Sequence, residues 1–347
     1  MQPKTLIVRL RNYVGDVVLS VPALEWLAAQ GYALQLVAKP WAASLLSAYP
    51  WTVTARAPRP LARVAQLRRL RRAALAADPG FDGRENMLVF PNAFSGGIEP
   101  WLAGLNAVAN DLDGRRLLLA RAVEPVWGHA LEHIWGLAGR FLKIERQAPE
   151  RIALATRHED QQRADELLAA QGVRPGFIVL CPFAAGVFEG QDKTWPAFPE
   201  FARALARSGR DLVCCPGPGE SAPAAQRYPG VRRLDGIDLG VYGGVMRRAA
   251  LVVANDTGPG HLAAAVGAPT FSVLGPTVPE QWAPWGPTVR VLREWPRWPT
   301  VDEALAATGL AAPMAAAPLP TAGLVRPAKA AGEGGAPLPV EVSAAEA

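Results

Sequence analysis

The residues that could do chemistry fall in a few short polar segments, each following an apolar run. The sharpest is 251–277, LVVANDTGPGHLAAAVGAPTFSVLGPT. Its apolar start leads into Asn255-Asp256-Thr257-Gly258, and a helix is expected from Pro259, because proline suits the first helical position. Asp256 and Thr257 suit the capping of exposed amides, and Gly258 and Gly260 allow a ligand close to the backbone. The positive end of such a helix can hold phosphate, with His261 in the first turn as a further donor to a diphosphate. Ordinary capping, with Asp256 merely closing the turn, fits the same residues. The polar density at the carboxyl end of a strand favours a ligand site.

In 11–20, RNYVGDVVLS, Gly15-Asp16 lies between an expected strand and a helix expected from Val17. That is the carboxyl edge of a parallel sheet, where a carboxylate can act as general base toward a hydroxyl; capping of the helix by Asp16 is the alternative. In 181–196, CPFAAGVFEGQDKTWP, Lys193 sits in a glycine-containing loop after a strand, as a phosphate partner or as a solvated lysine. In 214–220, CCPGPGE, Glu220 could accept hydrogen bonds from ribose hydroxyls or simply close a turn.

Two constellations suggest a metal only weakly. Asp111 and Asp113 form a DxD beside Gly114, Arg115 and Arg116, a pattern short enough to arise by chance. His129, Glu132 and His133 have spacing that one helical face could share, but histidines in surface or core roles explain them as well. No metal site is expected. Arg56, Arg59, Arg63, Arg68, Arg69, Arg71 and Arg72 crowd one stretch. They read either as a solvated helix face or as an attraction to anionic lipid.

Alternating elements must position these segments. Strands are expected at 5–10, 33–38 and 87–90, with helices at 17–30 and 61–77 between them. A second series has strands at 178–181, 211–215, 251–254 and 270–274. Its helices are expected at 198–208, around 243–248 and at 259–266. This alternation argues for parallel sheets with crossover helices. Thr300 and Glu303 fit a capping box for a helix at 301–308. Segment 145–157 reads as an interdomain linker, and 311–347, rich in Ala, Pro and Gly, as a disordered tail. The domains are thus 1–150 and 151–310, followed by the tail at 311–347.

A chain of 347 residues, half of them apolar, is long enough for two cores. A net charge of +5 does not mark a nucleic-acid binder. The cysteines are Cys181, Cys214 and Cys215, with no metal spacing, and fit reduced thiols in the cytosol. The apolar start is too short for a signal peptide, and no run is long enough to span a membrane. The absence of GxGxxG in the first βα turn argues against a nicotinamide-dependent dehydrogenase.

Taken together, VGDVVLSVPAL, FPNAFSGGIEPWLAG, DKTWP, PGPGE and above all NDTGPGHLAAAVGAPTFSVLGPT resemble glycosyltransferase family 9, the ADP-heptose:lipopolysaccharide heptosyltransferases, over residues 5–305. The middle motif is most similar to the heptosyltransferase II branch. The resemblance implies the α/β GT-B architecture, two facing Rossmann-like domains with parallel sheets and the nucleotide held mainly by the second. It implies Asp16 as catalytic base, Lys193 on the donor phosphate, Glu220 on the ribose, and Asp256, Thr257, Gly258 and His261 in the phosphate- and sugar-binding turn. It further implies an ADP-sugar donor, a glycolipid acceptor of the lipopolysaccharide inner core and inverting transfer without metal or other cofactor. A cytoplasmic monomer, peripheral at the inner membrane, is expected. A same-fold transferase using another nucleotide sugar and another glycan or protein acceptor is one alternative. A non-catalytic nucleotide- or glycan-binding protein is the other. Departures from the family pattern are Pro182-Phe183 in place of Pro-Gly, the missing arginine in LNAVAND, residues 105–111, and the cysteine- and basic-rich segment after the GPT motif, reduced here to REWPRWP.

Overall fold

Short runs of apolar, often β-branched residues bounded by turns form every principal strand of the computed structural model, which describes residues 3–184 and 186–310. The first six strands are β1 (Lys4–Arg9), β2 (Tyr32–Ala38), β3 (Thr52–Ala55), β4 (Met87–Val89), β5 (Ala107–Asn110) and β6 (Arg121–Val123). They build a six-stranded sheet in the order β3-β2-β1-β4-β5-β6, all pairs parallel. Between them run α1 (Val14–Ala29), α2 (Ala42–Leu45), α3 (Pro60–Ala77) and α4 (Ser95–Ala103), with 3-10 turns at Phe81–Gly83 and Arg115–Leu118. α5 (Ala130–Leu142) follows β6.

A second series repeats the design. After α6 (His158–Ala170) come β7 (Ile178–Cys181) and a small antiparallel hairpin of β8 (Val187–Phe188) and β9 (Gln191–Asp192). Then follow α7 (Phe198–Ala206), β10 (Leu212–Cys214), α8 (Ser221–Arg227), β11 (Arg232–Arg233), α9 (Leu239–Arg248) and β12 (Leu251–Asn255). The series closes with α10 (Gly258–Ala265), β13 (Thr270–Val273), α11 (Pro279–Trp282), β14 (Val289–Leu292) and α12 (Val301–Thr308). Its six-stranded parallel sheet has the order β11-β10-β7-β12-β13-β14.

The described residues divide into two compact units, 3–161 with 238–243, and 162–237 with 244–310. Residues 145–157, where a linker was expected, hold no helix or strand. They are nevertheless anchored: Ile152 and Leu154 are buried, and the Ala155 amide donates to the Tyr49 hydroxyl at 3.0 Å. The expected tail at 311–347 lies outside the described residues. Among the described residues, no helix is long and apolar enough to cross a membrane.

Both sheets are buried on their faces, so their central strands do not alternate buried and exposed: β7 and β12 are buried at every position. In the first unit Trp26 of α1 stacks on Trp135 of α5, with ring centres 4.4 Å apart. In the second, Trp195, Phe198 and Phe201 form an aromatic cluster, Trp195 to Phe201 at 5.3 Å, under β7, β10 and β12. The cysteines are buried and form no disulfide among the described residues, and burial pushes the Cys214 and Cys215 thiols far up, so they remain protonated. α12 begins with the expected capping box: the Thr300 hydroxyl accepts from the Glu303 amide, and the Glu303 carboxylate accepts from the Thr300 amide.

Two helix starts differ from the sequence expectation. α1 begins at Val14, so Asp16 is a residue of its first turn and not a cap before Val17. α10 begins at Gly258, with proline second. Replacing Phe201 by Ala should remove a fully buried ring and cost about 3–5 kcal/mol in denaturant unfolding. A loss under about 1 kcal/mol would show that this cluster is not the core of its unit.

Candidate functional site

In each unit the polar segments gather at the carboxyl edge of the parallel sheet. In the first, α1 starts with its N-cap Tyr13 making no side-chain cap bond, and Asp16 stands in the first turn, where the helix dipole favours a negative charge. The Asp16 carboxylate pairs with the Arg11 guanidinium at 3.3 Å, and both side chains are largely buried. Arg11 is held in turn, its Nε donating to the Phe90 carbonyl just beyond β4. Sequence reasoning did not single out Arg11; its place two residues past β1, five before Asp16, was the available signal.

Within reach of the Arg11 charge lies His133. Its Nδ1 sits 3.0 Å from the Val126 carbonyl, which can only accept, so Nδ1 carries the proton and Nε2 accepts from the Asn110 amide at 2.8 Å. Burial, reinforced by the nearby positive charges of Arg11 and Arg115, pushes His133 down to about 4. The ring is neutral at pH 7. His129 is instead the N-cap of α5, its Nδ1 accepting from the Leu131 amide while Glu132 accepts from the His129 amide. The three residues of the possible metal face are therefore a capping box and a buried neutral ring. Asp111 is paired with Arg116 at 2.8 Å, and Asp113 occupies a left-handed turn (φ 56°). Among the described residues no group of three or more His, Cys, Asp or Glu is placed to hold a metal ion.

The basic stretch does not act as one face. Arg56 and Arg63 turn inward and, with Arg9 of β1, converge on the buried Glu99 of α4 at 3.3, 3.1 and 3.3 Å. Three guanidinium groups against one carboxylate leave a surplus of positive charge beside the sheet edge. Arg71 pairs with Asp82, while Arg59, Arg68, Arg69 and Arg72 stay exposed. Arg115, fully buried, donates to the carbonyls of Pro91, Ala93 and Asn110, tying the segment after β4 to the end of β5. The glycines of FSGGIEP serve that arrangement: a Cβ at Gly96 would stand 2.8 Å from Arg115 Nη1, and one at Gly97 2.9 Å from its Cβ.

In the second unit the turn after β12 is the centre. Asn255, fully buried, accepts from the Trp195 amide (3.2 Å) and donates to the Pro182 carbonyl (2.6 Å), drawing the loops after β7 and β9 to the end of β12. Lys193 thereby reaches Asp256, Nζ to Oδ2 3.5 Å, and the Thr277 hydroxyl donates to the same carboxylate. Asp256 is thus occupied by Lys193 and Thr277. Thr257 is the N-cap of α10, but its side chain makes no cap bond. The expected capping by Asp256 and Thr257 side chains is not what the turn does: it presents Gly258 and the first helical turn beside a lysine. His261, three residues past Gly258, is buried in that turn. Thr277, supplied by the GPT segment after β13, was not singled out from sequence.

Glu220 is the N-cap of α8, and its Oε2 accepts from the Gly217 amide at 2.8 Å, closing the turn after β10. A carboxylate has acceptor positions beyond that one. Phe183, which replaces the family's glycine, packs edge-on to Tyr228 at 6.0 Å and joins the core.

Two parallel-sheet α/β domains with these turns are the GT-B architecture. The sequence model of glycosyltransferase family 9 (heptosyltransferase) matches residues 107–306, more than half of the chain, which therefore belongs to that family. Lipopolysaccharide heptosyltransferase 3 of Escherichia coli (strain K12) is 29% identical over 136 residues; the match covers 37% of this chain and 38% of that relative's length. Among solved structures, E. coli ADP-heptose lps heptosyltransferase II superposes with TM-score 0.69 at 20% identity, covering 88% of this chain and 97% of that one. The family 9 glycosyl transferase from Veillonella parvula DSM 2008 also has TM-score 0.69, at 19% identity and 85% and 87% coverage. E. coli heptosyltransferase WaaC, solved with ADP, gives 0.66 at 20% identity and 88% and 98% coverage. At these identities the likeness concerns the fold.

The neutral His133 has a consequence for stability. The unfolded chain takes up a proton near the ordinary value of 6.5, whereas the folded chain resists until about 4. Stability conferred by the neutral ring is therefore complete above 6.5 and lost as pH falls toward 4, by on the order of 3 kcal/mol. Thermal unfolding followed across that window should show this slope, reduced in His133→Gln. Equal slopes in the two proteins would remove His133 from the acid response.

Proposed function

We propose that the chain transfers heptose, with inversion, from ADP-L-glycero-β-D-manno-heptose to a sugar hydroxyl of a lipopolysaccharide inner-core acceptor or a related glycolipid in the cytoplasm. Family membership supports sugar transfer. The observation that carries the donor side is Lys193 held by Asp256 beside the start of α10, where the N-cap Thr257 side chain makes no cap bond. A diphosphate there would meet a cation and the positive end of a helix. The structural relative solved with ADP supports the adenine nucleotide.

In this reading Asp16 takes the proton of the acceptor hydroxyl as its oxygen bonds to the anomeric carbon. The bond from that carbon to the diphosphate oxygen breaks, and its electron pair leaves with ADP. Lys193 and the amides of the first turn of α10 stabilise the charge gathering on the phosphate, with His261 as a further donor. Glu220 accepts from ribose hydroxyls, and Thr257 and Gly258 line the sugar and phosphate. Arg11 orients the Asp16 carboxylate through their ion pair. The surplus charge around Glu99 suits an acidic or phosphorylated acceptor. The scheme needs no metal.

Protection against thermal unfolding by a panel of ADP-, GDP- and UDP-sugars tests the donor. ADP-sugars should protect, and preference for GDP- or UDP-sugars would overturn the assignment. Asp16→Asn should fold and bind ADP while losing about a hundredfold or more of transfer. Lys193→Ala should weaken ADP binding and turnover together. Near-native turnover in Asp16→Asn would take that carboxylate out of the reaction.

A further inference from the structure

The outer faces of α3 and α4 carry groups that sugar transfer does not use. Phe94, Ile98, Trp101 and Leu102 stand at i, i+4, i+7 and i+8, one stripe of a helix, and all are apolar. Phe94 is 46% exposed, Trp101 56% and Leu102 42%; Leu61, at the start of α3, is 84% exposed. Single exposed apolar residues are ordinary, but a group of them on adjoining elements marks an interaction surface.

The two helices lie rung to rung. Arg63 reaches Glu99, Arg68 donates to the Leu102 carbonyl at 2.9 Å, and a Cβ at Gly104 would meet Arg71 Nη1 at 3.1 Å. On the far flank of α4 the Arg115–Leu118 turn packs against Gly97 and leaves Leu117 93% exposed. Exposed apolar side chains therefore occur on three adjoining elements.

Its charge is one-sided. From Arg56 to Ala77 the chain has arginines and no carboxylate, and Glu99, the carboxylate of α4, is buried beneath its three arginines. Arg68, Arg69 and Arg72 share the outward stripe of α3 with Leu61 and are exposed, and Arg59 stands at its start. Lipid phosphates complement such a row, and exposed leucines and a tryptophan fit the zone between headgroups and acyl chains.

We propose that this face docks on an anionic bilayer surface. Leu61, Trp101, Leu102 and Leu117 enter the interfacial zone, and Arg59, Arg68, Arg69 and Arg72 meet lipid phosphates. A second copy packing symmetrically would set the arginine row against itself. A nucleic acid would leave the aliphatic side chains in water. The surface is defined by its own composition, so it can fail while the transferase reading stands, and the reverse.

Vesicle flotation of the full chain, without donor or acceptor, tests it. Vesicles of phosphatidylethanolamine and phosphatidylglycerol should bind the protein and phosphatidylcholine vesicles should not, with binding falling as salt rises. The triple change Arg68→Gln, Arg69→Gln and Arg72→Gln should weaken binding by more than about tenfold. The pair Trp101→Ser and Leu102→Ser should weaken it by about tenfold and make the remainder more salt-sensitive. Unaltered thermal unfolding confirms that each variant is folded; should one not fold, the lipid and salt dependence of the unaltered chain decides. Lack of binding to anionic vesicles, equal binding by both folded variants, or a concentration-dependent dimer that Trp101→Ser and Leu102→Ser abolish would overturn the proposal.

Discussion

A parallel strand pairs with its neighbour only after the chain has crossed back over the sheet, so in both units the carboxyl ends of all strands gather on one edge. Polar turns far apart in sequence become neighbours there. Asn255, Trp195 and Pro182 meet in this way, and so do Lys193, Asp256 and Thr277. The apolar interior of the strands makes the same edge a place where charge is only partly hydrated. A carboxylate there needs a partner, since the desolvation of an unpaired one is costly.

The carboxylates on these edges are compensated differently, and their proposed roles follow. Asp16 is paired with Arg11, which is itself tied to a backbone carbonyl. Asp256 faces a lysine and a hydroxyl, so it acts chiefly to hold Lys193 where a diphosphate would come. Glu220 is committed in part to its own turn. Glu99 is outnumbered by Arg9, Arg56 and Arg63 and so leaves net positive charge rather than neutrality. His133, near Arg11, adds no positive charge of its own at neutral pH.

Most of the alternation was legible because strands buried on both faces are uninterrupted apolar runs: β1, β7, β12 and β13 fall within a residue of expectation. β3, β5, β6 and β14 were not singled out. They are four residues or fewer and carry arginine, threonine or asparagine; β3, β6 and β14 are edge strands, which tolerate such residues because only one side is paired, whereas β5 is paired on both sides and is simply short. The starts of α1 and α10 were misplaced because glycine at the first or second helical position reads locally as a loop, whereas tertiary packing makes it the first turn. The three arginines assigned with the exposed row, Arg56, Arg63 and Arg71, looked like their neighbours, because nothing local distinguishes an arginine that meets a carboxylate some ten to forty residues away.

By itself the sequence determined the alternating α/β pattern, the capping box at Thr300, and the turns that carry Asp16, Lys193, Glu220 and Asp256. These depend on residue type and short spacing, which set local backbone geometry. Only the tertiary structure decided who partners whom: Arg11 with Asp16, Lys193 with Asp256 and Thr277, Arg115 with the ends of β4 and β5, Glu99 with three arginines. Those pairings arise from crossover connections that return distant segments to one edge, and no short-range pattern encodes which distant segment arrives.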